Sequence, residues 1–379
     1  MSHWPWMVSA FPRLSLRTRY FSGLVLFSYV GMHLATLAMG LRSIDAIEAV
    51  RPCLMGPWTQ GVGPFILLAA AVLHGILGLA AIAGRRTLHL SAGDWAQVIL
   101  GLLIVPLLLD HLFFVGSAQR IGLFHRAYGF MLATYWEVTP GHALQQVLVV
   151  VVVWIHGAIG LHRGLMLKPI WTRVGPWLSP LLFSFPTAAL LGFVSAGREA
   201  LDKLASDERW RDSVHLAVDQ VLVADSKLEA ARLGVLYGYA ALALAAVCIL
   251  LWRTSRARSG CATIEYDGEL EVRARFGLSL LDVSRTNGIP HASVCGGRGR
   301  CGTCLVVVGH SPEALTPARE WERQTLRRVH APDGGRLACQ ARVCGPRIAL
   351  ARLHPAHADA SLARDLVAAG DGGRTGVST

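Results

Sequence analysis

The sequence predicts a bundle of six transmembrane α-helices followed by a small α+β domain, and three observations carry that prediction. In the first two thirds of the 379 residues, the apolar half of the composition gathers into windows of about twenty residues nearly free of charge, each able to cross a hydrocarbon core of roughly 30 Å as helix. After Trp252 that composition stops abruptly. From Cys261 to Leu353, short alternating stretches surround one helical stretch, and three cysteines crowd into one glycine-rich loop. Four units follow: an anchor over 1–252, a polar linker over 253–260, a compact domain over 261–353, and a tail over 354–379 whose Ala, Gly and Asp content predicts disorder.

The spans run Tyr20 to Leu41, Gly63 to Gly84, Trp95 to Gly116, Ala143 to Gly164, Pro176 to Gly197 and Arg232 to Trp252. The fifth contains Pro180 and Pro186, which a membrane helix tolerates where neighbours re-satisfy the freed carbonyls. Met1 to Tyr20 holds tryptophans, prolines and arginines instead of the short apolar run of a cleaved signal, so the first span is expected to stay as an anchor. Arg13, Arg17 and Arg19 precede span one, Arg85 and Arg86 follow span two, Arg163, Lys168 and Arg173 follow span four, and Arg253, Arg256 and Arg258 follow span six. The positive-inside rule then puts both termini in the cytoplasm of a bacterial inner membrane, with the acidic loop from Glu199 to Glu229 outside. The lipid bilayer is the first partner. The net charge of +11 comes from these flanking arginines, and no basic helix interleaved with aromatics accompanies it, which excludes nucleic acid as a partner. Of the outer segments, Ser117 to His142 is aromatic and expected to lie at the interface, whereas Arg198 to Glu229 has amphipathic spacing.

In the compact domain, Ala262 to Asp267 and Glu269 to Arg275 alternate as a hairpin about Asp267-Gly268. Leu278 to Asn287 reads as a helix, and Leu305 to Val308 and Arg347 to Leu353 as further strands. The linker, extended, reaches at most about 27 Å, so the domain is held near the membrane.

Eight cysteines are too few and too clustered for a secreted disulfide scaffold. Four have ligand spacing: Cys295, Cys301 and Cys304 in the run CGGRGRCGTC, with Cys339 arriving later in RLACQ. A [2Fe-2S] cluster needs four thiolates, two on each iron, and the glycines let the backbone wrap it and aim amide hydrogens at its sulfurs. Structural zinc favours two short-spaced pairs, whereas this set is three plus one. Cys344 reads as a spare buried thiol, and Cys53, Cys248 and Cys261 as structural thiols. The C-x5-C-x2-C spacing departs by one residue from the plant-type C-x4-C-x2-C and resembles adrenodoxin-like ferredoxins. That resemblance, over about ninety residues, implies a β-grasp fold and one-electron transfer.

Spans one to four each hold a histidine in the apolar run: His33, His74, His111 and His156. An imidazole inside a membrane is costly unless partnered. Counted from the cytoplasmic end at 1.5 Å per residue, His33 lies at about 20 Å and His111 at about 24 Å, against about 15 Å for His74 and about 12 Å for His156. Two levels with two ligands each suit two stacked b haems, an outer one on His33 and His111 and an inner one on His74 and His156. The competing explanation is hydrogen bonding between helices or a water-filled cavity. Gly78 and Gly160, four residues after His74 and His156, are expected to clear space for a macrocycle, and Gly40 less directly. Arg85, Arg86 and Arg163 are candidate cations for inner propionates, or ordinary positive-inside anchors. His162 and Asp110 are placed to serve a quinone, a propionate or the interface alone.

A six-span anchor with intramembrane histidines, a short linker and the CGGRGRCGTC loop resembles the N-terminal half of bacterial membrane-bound class III adenylate cyclases. Their anchor is similar to the dihaem cytochrome b subunit of succinate dehydrogenase and fumarate reductase. The paired aspartates of a cyclase domain do not follow here, so no cyclase activity is expected. The expected function is electron transfer between membrane haem or quinone and a cytoplasmic [2Fe-2S] cluster. The alternative is a redox-sensing anchor acting on a separate cytoplasmic output protein.

Overall fold

The computed structural model describes residues 5–120, 127–226, 228–256 and 261–372. Six helices are long and apolar enough to cross a membrane: Ser15–Leu41, Gly63–Ala83, Ala92–Ala118, Pro140–Leu165, Trp171–Ser206 and Glu229–Ser255. They match the six expected spans, with ends extended by a turn or two. They belong to α1 (Pro5–Ala38, continued by the short turn Met39–Leu41), α3 (Gly63–Ala83), α4 (Ala92–Arg120), α6 (Pro140–Leu165), α7 (Trp171–Ser206) and α9 (Glu229–Arg256). Proline in the first turn starts α3 and α6, where a missing N–H costs nothing. Large apolar side chains such as Phe65, Leu68, Phe183 and Leu244 stand exposed, as they must on faces that meet lipid.

α1 packs along α3 and α4 along α6. Gly40 and Gly192 bring the end of α1 onto α7, because a Cβ at either would strike the backbone carbonyl of the other helix. Gly40 therefore serves a helix crossing, and the expectation that it clears space beside His33 is corrected.

Two of the prolines inside spans, Pro106 and Pro186, are compensated across the bundle. Pro106 of α4 cannot donate to the Leu102 carbonyl, and Tyr239 Oη of α9 donates to it at 3.0 Å. Pro186 of α7 frees the Leu182 carbonyl in the same way, and Trp154 Nε1 of α6 donates to it at 2.7 Å.

Three further helices cover the end of the bundle away from the C-terminal domain: α2 (Ile44–Thr59), α5 (Ala127–Ala133, continued by a π turn over Thr134–Val138) and α8 (Glu208–Ser226). α2 has no counterpart among the expected elements; Ser43 caps it by accepting from the Ala46 amide at 3.0 Å. α8 is the expected amphipathic helix, burying Val214, Ala217, Val218 and Val221 at helical spacing.

The C-terminal domain is a five-stranded mixed sheet in the order β2-β1-β5-β3-β4. Its strands are β1 (Cys261–Tyr266), β2 (Leu270–Arg275), β3 (Leu305–His310), β4 (Gly335–Leu337) and β5 (Arg347–Arg352). β1 pairs antiparallel with β2 about Asp267 and Gly268, both at positive φ, and parallel with β5. α10 (Leu280–Thr286) starts in a capping box of Ser279 and Asp282 and lays Leu280, Leu281 and Val283 into the sheet's core with Ile264, Tyr266 and Ile348. α11 (Glu320–Arg328) and β4 were not expected, being short and mostly polar. They are held by Glu322, 1% exposed, which accepts from Arg336 Nε at 2.9 Å and from the Leu337 amide at 3.1 Å.

Two expected boundaries are corrected. α9 continues through Arg256, so the first half of the expected linker is helix, and 257–260 lie outside the described residues. The expected disordered tail contains α12 (Ala360–Gly372), whose start is capped by Asp359 accepting from the Ser361 and Leu362 amides. Alanine is the strongest helix former, and Ala363 is wholly buried, so a run that reads as low complexity has a packed face.

Candidate metal centres

Cys295, Cys301, Cys304 and Cys339 are at most 7% exposed and converge in two pairs. Cys304 and Cys339 stand with their Sγ atoms 3.3 Å apart. Cys301 donates to Cys295, which, with backbone N–H groups of residues 298, 300 and 301, holds the Cys295 thiol well below its usual range. Two thiol pairs, one within the loop and one joining the loop to Cys339, suit two irons, and amides aimed at sulfur suit a cluster. The loop needs its glycines: Gly302 has φ +81°, and a Cβ there would lie 2.8 Å from Val329. Cys53, Cys248, Cys261 and Cys344 are exposed, which corrects the expected burial of Cys344.

The intramembrane histidines also come together in two pairs, and the partners are those expected from depth. His33 and His111 have ring centroids 6.2 Å apart, and His74 and His156 have theirs 6.1 Å apart. A metal bond of about 2 Å to each imidazole sets two axial rings about 6 Å apart, so both gaps fit one iron. The rings are held from behind. His33 Nδ1 lies 2.9 Å from Tyr128 Oη, His111 Nδ1 lies 3.1 Å from Tyr135 Oη, and His74 Nδ1 lies 3.0 Å from the Arg19 carbonyl. Such a contact at Nδ1 leaves Nε2 as the ligand and fixes the ring's orientation. Gln97 Nε2 rests 3.3 Å from both His156 ring nitrogens.

Residues 264–344 match the profile of the 2Fe-2S iron-sulfur cluster binding domain. The C-terminal domain is a ferredoxin-type 2Fe-2S domain. Curated relatives matching the same part of the chain are Na(+)-translocating NADH-quinone reductase subunits F. That of Pseudomonas aeruginosa is 34% identical over 106 residues, 28% of this chain and 25% of the relative. Those of Neisseria meningitidis, at 35% over 98 residues (26% and 24%), and Haemophilus influenzae, at 34% over 110 residues (28% and 26%), are similar. The chain thus spans about a quarter of the length of these relatives. They lend no support to the resemblance to the cyclase anchor. No solved structure matches. With six apolar helices ahead of the ferredoxin domain, the chain is a multi-pass membrane protein with a 2Fe-2S electron-transfer domain.

The ferredoxin domain's cluster loop sits against the bundle. Cys295 and Cys301 are buried with Met166 and Leu167, just past α6, and with Ala363 of α12. Trp171 packs on the same group and stands edge-on to His162, ring centroids 5.0 Å apart. Beside it, Arg163 pairs with the buried Asp94 at 2.9 Å. Arg298 of the cluster loop donates to the Cys295 carbonyl at 2.9 Å and shares the field of Asp94 and Arg163; burial, then Arg163, pushes its guanidinium down to about 10. Arg85 adjoins Asp94 and Arg163, and burial lowers its affinity for a proton. Arg86 leaves this group: its guanidinium faces Gly277 of the ferredoxin domain.

Several site residues escaped the sequence. Tyr128 and Tyr135 belong to a segment expected only to lie at the interface, and the π turn over Thr134–Val138 aims Tyr135 inward. Gly23 and Gly101 face the inner rings, where a Cβ would come within 2.9 Å of His74 and of His156. Of the expected glycines, Gly78 faces open space within 4 Å and Gly160 faces Gln97 at 3.9 Å. For Gly23 and Gly101 the missing signal was pairwise, a glycine on the neighbouring helix at a histidine's depth. Asp110 is tied to Arg232 at 3.0 Å and Gln145 at 3.2 Å, an ion-pair network.

Proposed function

We propose that this protein carries electrons across a bacterial inner membrane between a quinone and a 2Fe-2S cluster held by Cys295, Cys301, Cys304 and Cys339. In this reading His33 and His111 bind an outer b haem, and His74 and His156 an inner one. The bound haems would supply one-electron chemistry inside a membrane that otherwise excludes charge. The observation that carries the reading is the pair of ring gaps, 6.2 and 6.1 Å, each with histidines held at or beside Nδ1. Arg85 and Arg163 would meet the inner propionates, with Arg19 and Arg298 joining them in place of Arg86. Both termini would lie in the cytoplasm, on the side of the cluster. The relatives' name, NADH-quinone reductase, supports a quinone as the small redox partner.

Optical and EPR spectra of the purified protein test this. The expected result is a b-type spectrum with two haems for each 2Fe-2S cluster, both reduced by added quinol. A cluster signal without b-type absorption, or haems that quinol leaves oxidised, would overturn it. The redox-sensor alternative predicts an output protein whose activity follows cofactor oxidation state.

A further inference from the structure

A cavity of about 590 Å³ lies where the loop after α3 and the last turn of α9 meet β2 and α10 of the ferredoxin domain. We propose that it is a phosphate-binding site, filled by the headgroup of an anionic phospholipid. Its lining includes His89 but none of the four clustered cysteines or the four intramembrane histidines, and the proposal does not depend on the haem reading.

Charge is the first argument. Arg86 enters from the bundle, Arg273 and Arg275 enter from β2, and no carboxylate is among the lining residues. Some arginines elsewhere in the protein have acidic partners, among them Arg163 with Asp94, Arg232 with Asp110, Arg336 with Glu322 and Arg352 with Asp267. Among the described residues, Arg86, Arg273 and Arg275 have no ion pair, and Arg275 meets only the Thr254 carbonyl, at 3.3 Å. Three guanidinium groups converging without a counter-charge fit a phosphate, whose oxygens accept from their N–H forks.

Height is the second argument, and it selects a lipid over a dissolved anion. The lining includes Leu251, Thr254 and Ser255, the last turn of the sixth span, where hydrocarbon gives way to headgroups. Leu88 and Leu251 form an apolar part of the rim and are 41% and 48% exposed, and Trp252 beside them is 53% exposed, as interfacial tryptophans are. A diacyl phosphate can place its charge among the arginines and its chains along these side chains. A dissolved phosphate has no use for the apolar rim. Basic pockets at the ends of spans are where anionic headgroups bind.

The test uses full-length protein in phosphatidylcholine nanodiscs with a minor fraction of phosphatidylglycerol, extracted gently and weighed by native mass spectrometry. Retention of phosphatidylglycerol over phosphatidylcholine is expected, weakened roughly fivefold by Arg86→Gln or Arg273→Gln and about 25-fold by both. Arg253→Gln, on exposed α9 outside the cavity, is the control and should change nothing. Absorption of the 2Fe-2S cluster in each variant reports that the ferredoxin domain is intact. Unchanged retention in the folded double variant, or equal loss in the Arg253 control, overturns the site. A second arm adds pyrophosphate: if it displaces the lipid at millimolar concentration, the lipid assignment is overturned in favour of a soluble phosphate.

Discussion

The four candidate cluster thiols differ in what surrounds them, and that sets the first prediction. Cys339 arrives from a separate stretch of chain beside β4, so Cys339→Ser should abolish the cluster's EPR signal while the b-type spectrum persists. Loss of both together would mean that the two centres fold as one. Glu322 offers a stability test at the same scale. Its carboxylate is the shared acceptor of Arg336 and the Leu337 amide, and Glu322→Ala leaves a buried guanidinium unpaired, which costs about 3–5 kcal/mol. For a domain of this size that lowers the midpoint of thermal cluster loss by roughly 12 °C or more. Cys295, Cys301 and Cys304 stood out because their spacing is local, and the structure brings Cys339 beside Cys304 from a separate stretch. Tyr128 and Tyr135 were not, because an aromatic at an interface and an aromatic behind a histidine look alike until the π turn orients them.

Helices carry the next two predictions. His33 and His111 sit on α1 and α4, His74 and His156 on α3 and α6, so each pair ties two helices. His33→Ala should remove one haem and leave the other, halving the pyridine haemochrome yield; His74→Ala should remove the complementary one, with a different spectrum remaining. Gly101→Ala should act as a milder His156 lesion, since the added methyl meets the ring at 2.9 Å. Tyr239→Phe deprives the Leu102 carbonyl of its donor and should cost about 0.6–1.7 kcal/mol in unfolding from mixed micelles. All six spans were legible, because lipid demands long uncharged runs and little else produces them. α12 was misjudged on composition, since Leu362, Ala363, Leu366 and Val367 do recur at helical spacing within the alanine- and glycine-rich run, with Ala363 and Leu366 packed against the domain. α11 and β4 were missed because one buried glutamate, not a pattern, holds them.

Across the entire chain, the division into bundle and ferredoxin domain follows composition, and the docking between them does not. Nothing in the sequence announces that Met166 and Leu167 will cover Cys295 and Cys301, since each run reads as ordinary loop. Arg163→Gln removes the ion-pair partner of Asp94 beneath the cluster loop and, in the proposed reading, a propionate contact, so it should slow reduction by quinol of the inner haem and of the cluster while cluster content stays normal; stopped-flow spectra at haem and cluster wavelengths follow the two. Leu102 and Leu182 raise a different matter. In a bilayer, oil-loving faces cannot tell a neighbouring helix from a lipid tail, so grease alone gives a span no reason to choose one companion. A carbonyl stripped of its donor by proline is a vacancy that lipid cannot fill, and a helix bearing a donor at the matching height, here a phenol or an indole, answers it. Pro106 and Pro186 thereby work as addresses, naming α9 and α6 as the companions of α4 and α7 before any cofactor is bound.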